Sequence, residues 1–377
     1  MALPYESERL MDKIYNFGAG PAAMPPEVKE RAARELFGAD GGISILEMSA
    51  DSEEVKALRK KCESNLRKLL SIPAGYRVIF AEGAGVCQFS AIPMNLLNDS
   101  HRADYIVTGQ FSSLAYHEAK RYGDVVMAAS SAGSTPIFSA IPKLSVSDFR
   151  PDTDYVHICY NNTIYGTKFD APPETGHIPL VADMTSCLLT EPVEVSKFGM
   201  IYADAGANIA PAALTVIIIR EDLIGSARPE TPASMNYKLL AEGKGVSGSS
   251  SIYGVYMTNL TLEWILSIGG LEETKRRGER KASRLYDFLD SGQEYYTATA
   301  SKACRSATNV VFTTGSPALD AKFIKDAEAE GLFGLEGHAS VGGIRASLYN
   351  AVPYEAVELL VKFMNRVLNE NPKYKED

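Results

Sequence analysis

The amino-acid sequence predicts an α/β protein in which a large domain, built on a mostly parallel sheet, precedes a small α+β domain. Three observations lead there. The chain has 377 residues, 45% of them hydrophobic and 23% charged, the makeup of a globular protein large enough for two or three domains. Amphipathic helical stretches alternate with short β-branched runs over the first two thirds, without repeats or low-complexity tracts. After the Gly269-Gly270 pair the pattern changes to fewer strands between longer charged helices.

Taken in order, Pro25-Pro26 opens a helix running to about Phe37, because proline is tolerated where the first-turn N–H has no partner. A second helix over 51–70 places Val55, Leu58, Cys62, Leu66 and Leu69 on one face. The runs 77–81, 104–107, 125–128, 155–159, 180–183 and 214–219 are short, apolar and separated by helix-sized intervals, as expected of strands buried on both faces of a parallel sheet. An apolar helix over 252–268 stops at Gly269-Gly270, where the domain boundary falls. The expected division is therefore an N-terminal extension 1–15, a large domain 16–268 and a small domain 269–377. The small domain should hold helices over 272–291, 318–331 and 354–370 and strands over 308–314 and 342–347.

Charge and composition exclude several functions. The net charge of −9, without a basic tract, argues against nucleic acid or an anionic membrane as a partner. The apolar run 212–219 is far shorter than the roughly 20 residues of a spanning helix. Met1 to Leu10 is polar and acidic rather than a signal peptide. The five scattered cysteines lack CxxC spacing, which implies a reducing compartment, the cytoplasm, rather than a disulfide framework or thiolate zinc site. Five histidines without HxxxH or HxH spacing predict no metal site. The Glu82-Gly-Ala-Gly85 turn lacks the dinucleotide GxGxxG pattern.

Several segments together carry a family resemblance: Asn16-Phe-Gly-Ala-Gly-Pro21, Ile92-Pro-Met-Asn-Leu-Leu97, Asp154-Tyr-Val-His157, Val181-Ala-Asp-Met184, Arg220-Glu-Asp-Leu223, and Gly337-His-Ala-Ser-Val-Gly-Gly-Ile-Arg-Ala-Ser347 followed by Tyr349-Asn-Ala351. In this order and spacing, from about Tyr15 to Leu368, the chain resembles the phosphoserine aminotransferase family of the class V, pyridoxal-phosphate-dependent aminotransferases. The resemblance implies the PLP-transferase (aspartate aminotransferase-like) fold and a homodimer whose interface includes 245–251 and the large-domain helices. Among retained positions, it assigns Asp183 to the cofactor's pyridinium nitrogen, Thr163 to the ring oxygen, Phe111 to the stacking aromatic, and His338 and Arg345 to substrate.

Other positions depart from the family. Its Tyr-Ala-Gly-Ala-Gln-Lys-Asn-Ile-Gly-Pro-Ala-Gly stretch is Tyr202-Ala-Asp-Ala-Gly-Ala-Asn-Ile-Ala-Pro-Ala-Ala213 here. The Schiff-base lysine position is thus Ala207, its glutamine neighbour is Gly206, and two glycines become Asp204 and Ala210. The phosphate-cradling turn ends Gly85-Val86, without the family hydroxyl, and of the segment from the second subunit only Ser249 keeps a phosphate-binding group. The family His-Arg pair is Ala50-Asp51, and a further arginine is Ala339. Lys244 is a possible substitute amine.

If Asp51, Glu82 and Asp204 converge, the cleft is negative and repels a phosphate dianion. A zwitterion such as an amino acid or other amine then spans the cleft from Arg345 and His338 to the new acids. The functional expectation is a homologue that has lost transamination, a pseudoenzyme or a repurposed cleft for a non-phosphorylated ligand, with no cofactor. The alternative is a working phosphoserine aminotransferase, converting 3-phosphohydroxypyruvate and glutamate to phosphoserine and 2-oxoglutarate with pyridoxal phosphate. A third possibility is a cofactor-independent enzyme with Asp51, Glu82 or Asp204 as acid and base.

Overall fold

A computed structural model describes residues 14–38, 42–211, 214–244, 252–292 and 294–371. The first half runs β1 (Tyr15–Asn16), α1 (Pro26–Glu35), α2 (Glu53–Leu70), β2 (Tyr76–Glu82), α3 (Gln88–Leu96), β3 (Arg102–Val107), α4 (Gln110–Ala119), β4 (Asp124–Ser130), β5 (Tyr155–Cys159), β6 (Asn161–Asn162), β7 (Thr167–Lys168) and β8 (Leu180–Asp183). It continues through β9 (Met200–Asp204), α5 (Ala205–Asn208), β10 (Leu214–Arg220), α6 (Tyr237–Ala241), α7 (Ile252–Ser267) and α8 (Gly270–Leu289). The last elements are β11 (Thr297–Ala298), β12 (Asn309–Thr313), α9 (Pro317–Ala329), β13 (Leu332–Phe333), β14 (Ile344–Ser347) and α10 (Tyr354–Glu370).

Seven strands form the central sheet in the order β2-β10-β9-β8-β5-β3-β4. Every neighbouring pair is parallel except the two made by β10, which runs antiparallel to both β2 and β9. The expected parallel sheet therefore holds one reversed strand and one strand, β9, that sequence periodicity does not resolve. β10 illustrates why these short runs are strands. Val216 and Ile218 enter the core with Cys62 and Leu66 of α2 and Val255 and Leu260 of α7. Ile217 and Ile219 point the opposite way, into the core with Phe89 and Ile92 of α3 and Ala115 of α4. Burial on both faces requires the uninterrupted apolar run.

Helix α2 starts where Ser52 Oγ accepts the Val55 N–H at 3.2 Å, and it ends at Ser71 in the left-handed conformation with φ 48°. The apolar helix α7 packs against α1, α2 and α8 of its own chain, so its apolar character is explained without a second subunit. The segment 245–251, including Ser249, lies outside the described residues.

The antiparallel sheet β11-β12-β14 packs with α8, α9 and α10 around Leu285, Phe312, Phe323, Leu360 and Met364. Tyr15 and Phe17 join this core, because β1 pairs in parallel with β13. Residues near the N-terminus thus tie the C-terminal elements to the edge of the cleft.

Candidate active site

Strands β2, β8 and β9 run in one direction, so their carboxyl ends meet at the same edge of the sheet, the usual place for a ligand crevice in such folds. A cavity of about 230 Å³ opens there. Its floor is Asp183, the last residue of β8, only 7% exposed. Burial pushes the Asp183 carboxyl above the usual carboxylate range; hydrogen bonds from Thr185, including its N–H at 2.9 Å, pull it back, and the nearby Asp204 adds to the rise. Beneath it lies a buried polar layer. His157 Nε2 is 3.0 Å from the Tyr202 hydroxyl, and its ring stacks on Tyr105 at 4.7 Å.

Asp204 ends β9 and points its carboxylate at two backbone amides. Gly206 N–H donates to Oδ1 and Gly85 N–H to Oδ2, each at 2.8 Å. Its own N–H donates to Thr185 Oγ1 at 3.1 Å, which fixes the backbone beneath the carboxylate. The approach to Gly85 is close enough that a Cβ there would sit 3.2 Å from Asp204 Cβ.

Of the residues singled out from sequence, Gly85, Val86, Phe111, Thr163, Asp183, Gly206 and Ala207 all line this cavity. Val86 is half exposed, whereas Ala207 is buried. Asp204 joins them, and Phe89, Cys159, Asn161, Thr185 and the loop Ala19 to Pro21, to which the sequence assigns no role, complete the wall. Thr185 directly follows the recognised Val181–Met184 segment, and the loop lies inside the Asn16–Pro21 one, so both carried a signal in their neighbours.

Other candidates lie elsewhere. Asp51 is exposed just before the Ser52 cap of α2, beside Ala50, and Glu82 is exposed at the end of β2; neither lines the cavity. His338 and Arg345 belong to the small α+β unit and also lie outside the cavity lining. His338 Nδ1 lies 2.7 Å from Ser340 Oγ, which donates to Gln110 Oε1 at 2.6 Å and so links this loop to the start of α4 beside Phe111. Arg345 Nε is buried without a hydrogen-bond partner, and burial lowers the guanidinium pKa. Ala339 is exposed, and Lys244 pairs with Glu242 at 3.0 Å. The predicted charge reversal thus reduces to one new carboxylate, Asp204. Among the described residues no Lys or Arg lines the cavity, no cluster of three His, Cys, Asp or Glu is placed to hold a metal, and no helix is long and apolar enough to cross a membrane.

Residues 14–360 match the family model described as Aminotransferase class-V. The chain is 43% identical over 352 residues to the phosphoserine aminotransferase of Laribacter hongkongensis, covering 93% of this chain and 97% of that protein. It is 44% identical over 363 residues to that of Nitrosomonas europaea, covering 94% and 98%. Among solved structures, phosphoserine aminotransferase from Bacillus circulans subsp. alkalophilus superposes with a TM-score of 0.90 at 40% identity, covering 97% of this chain and 99% of that one. The PLP-bound phosphoserine aminotransferase of Trichomonas vaginalis gives 0.88 at 32%, covering 94% and 100%.

These findings correct two expectations, that transamination has been lost and that no cofactor is used. The relatives that match along nearly the whole chain bear the aminotransferase name, one of them with PLP bound, and they favour the alternative. The physical premise of the earlier expectation weakens as well, since Asp51 and Glu82 do not converge on the cleft.

Proposed function

The chain belongs to the class V aminotransferase family, and from that premise we propose that it works as a phosphoserine aminotransferase, moving an amino group between glutamate and a phosphorylated 2-oxo acid with pyridoxal phosphate as cofactor. The observation that carries this reading is the identity of 43% over 93% of the chain to a protein of that name. The ring end of the cleft supports it. Asp183, Phe111 and Thr163 line that end, and with the cofactor bound they would offer a buried carboxylate to a ring nitrogen, an aromatic face, and a hydroxyl to the ring edge. Pyridoxal phosphate supplies an electron sink for bond changes at an amino acid Cα.

The other two ends do not fit that group. Residue 207 is a buried methyl group that supplies neither an amine nor a proton carrier, and the amides of Gly85 and Gly206 already serve Asp204. Ala207 therefore takes no part in the chemistry. The protein acts as a homodimer in the cytoplasm. Exposed Phe37, Ile43 and Leu46 support association, and five unpaired cysteines support a reducing compartment.

The test is to incubate the purified protein with pyridoxal phosphate, phosphoserine and 2-oxoglutarate and to follow glutamate by NMR. Glutamate should accumulate above the protein-free rate, and faster with Ala207→Lys. Wild-type protein yielding no more glutamate than the protein-free mixture would overturn the proposal.

A further inference from the structure

Gly85 and Gly206 belong to segments far apart in sequence, the turn after β2 and the first turn after β9, and both line the cavity. Their N–H groups nevertheless converge on a single carboxylate, that of Asp204, at 2.8 Å each. Helix capping accounts for only one of these bonds, the local one to Gly206. The bond to Gly85 crosses 119 residues of sequence and reaches the first amide of the short 85–87 turn, a tertiary contact that the turn's own N-cap residue, Ala84, does not supply. Backbone amides aimed at one point form an anion receptor of the kind that holds phosphate oxygens.

We infer that Asp204 is an internal anion seated in the receptor of this cleft, so that an incoming phosphate group must displace the protein's own carboxylate to bind. Charge-assisted bonds to an ionised carboxylate are roughly twice as strong as neutral ones, which makes the displacement costly. The Thr185 hydroxyl, 3.1 Å from Asp204 N, holds the backbone that carries the carboxylate in place. A phosphate dianion entering the cavity also meets Asp183, while no described Lys or Arg lines the wall to offset either acid. Asp204 is therefore a specificity-determining residue that sets how tightly the cleft holds a phosphate monoester.

The test is calorimetric titration of the intact protein with inorganic phosphate and, separately, with pyridoxal phosphate, for wild type, Asp204→Gly and Asp204→Asn. With Asp204→Gly both amides are released, and Kd for each probe should fall by about tenfold or more. Asp204→Asn keeps the shape without the charge and should give an intermediate gain, which also provides a readout if the glycine variant does not fold. Asp51→Asn, at an exposed acid outside the cavity, should leave both affinities unchanged. Folded Asp204 variants that bind phosphate no more tightly than wild type would overturn the inference. Because phosphate binding is read without turnover, that failure is distinguishable from failure of the aminotransferase proposal, on which the inference does not depend.

Discussion

Replacing His157 by Gln should remove part of the protein's acid sensitivity. The imidazole is fully enclosed, one nitrogen facing the Tyr202 hydroxyl at 3.0 Å and the other, Nδ1, having no partner. Burial lowers its pKa from 6.5 to about 3. A base with a lowered folded-state pKa stays neutral in the native protein while it charges in the unfolded chain. Between these two values the unfolded state binds more protons, so the stabilisation is complete above about pH 6.5 and is lost as pH falls towards 3. At pH 5 the window entered is about 1.5 units deep, worth roughly 2 kcal/mol at about 1.4 kcal/mol per unit. Glutamine retains a polar group facing Tyr202 and does not titrate. Equilibrium urea unfolding at pH 5 and pH 8 should therefore show wild type losing roughly 2 kcal/mol more than His157→Gln on acidification. Equal losses in the two proteins would refute the assignment of a buried neutral imidazole.

Lys281 is buried in α8, and its ammonium donates to the carbonyls of Leu348, Tyr349 and Val352, bracing the turn whose Asn350 N–H donates to Asn208 in α5. Lys281→Met leaves three acceptors without that donor and should cost about 2 to 3 kcal/mol in urea unfolding; no measurable loss would show that the turn holds itself. Asp183→Asn keeps the side-chain shape but removes the charge offered to a ring nitrogen, so fluorescence titration should show pyridoxal phosphate binding weakened by about tenfold. Unchanged affinity would remove Asp183 from the proposed site.

Local patterns carried most of the fold. The alternation in β10, with Val216 and Ile218 on one face and Ile217 and Ile219 on the other, is legible because burial on both faces demands it. β1 was not legible, since two residues paired to β13 from the far end of the chain leave no periodic trace. The site divides in the same way. Asp183, Thr163 and Phe111 follow from recognisable segments and do line the cavity. Side-chain direction does not follow from such segments. In β2, Ala81 is buried and Glu82, the next residue, faces out by the pleat, while Asp51 precedes the cap of α2 on the surface. Asp204 meets Gly85 only because β10 inserts between β2 and β9 and aligns their ends, a pairing that no local pattern encodes.

The claim that this one cleft is where the chain works is tested most directly by a crystal structure of the wild-type protein soaked with pyridoxal phosphate. The expected result is the pyridine nitrogen on Asp183, Phe111 against the ring, and the phosphate on the amides of Gly85 and Gly206 with the Asp204 carboxylate turned away. A cleft that stays empty at millimolar cofactor with Asp204 still on both amides, or a ring bound elsewhere on the protein, would contradict it.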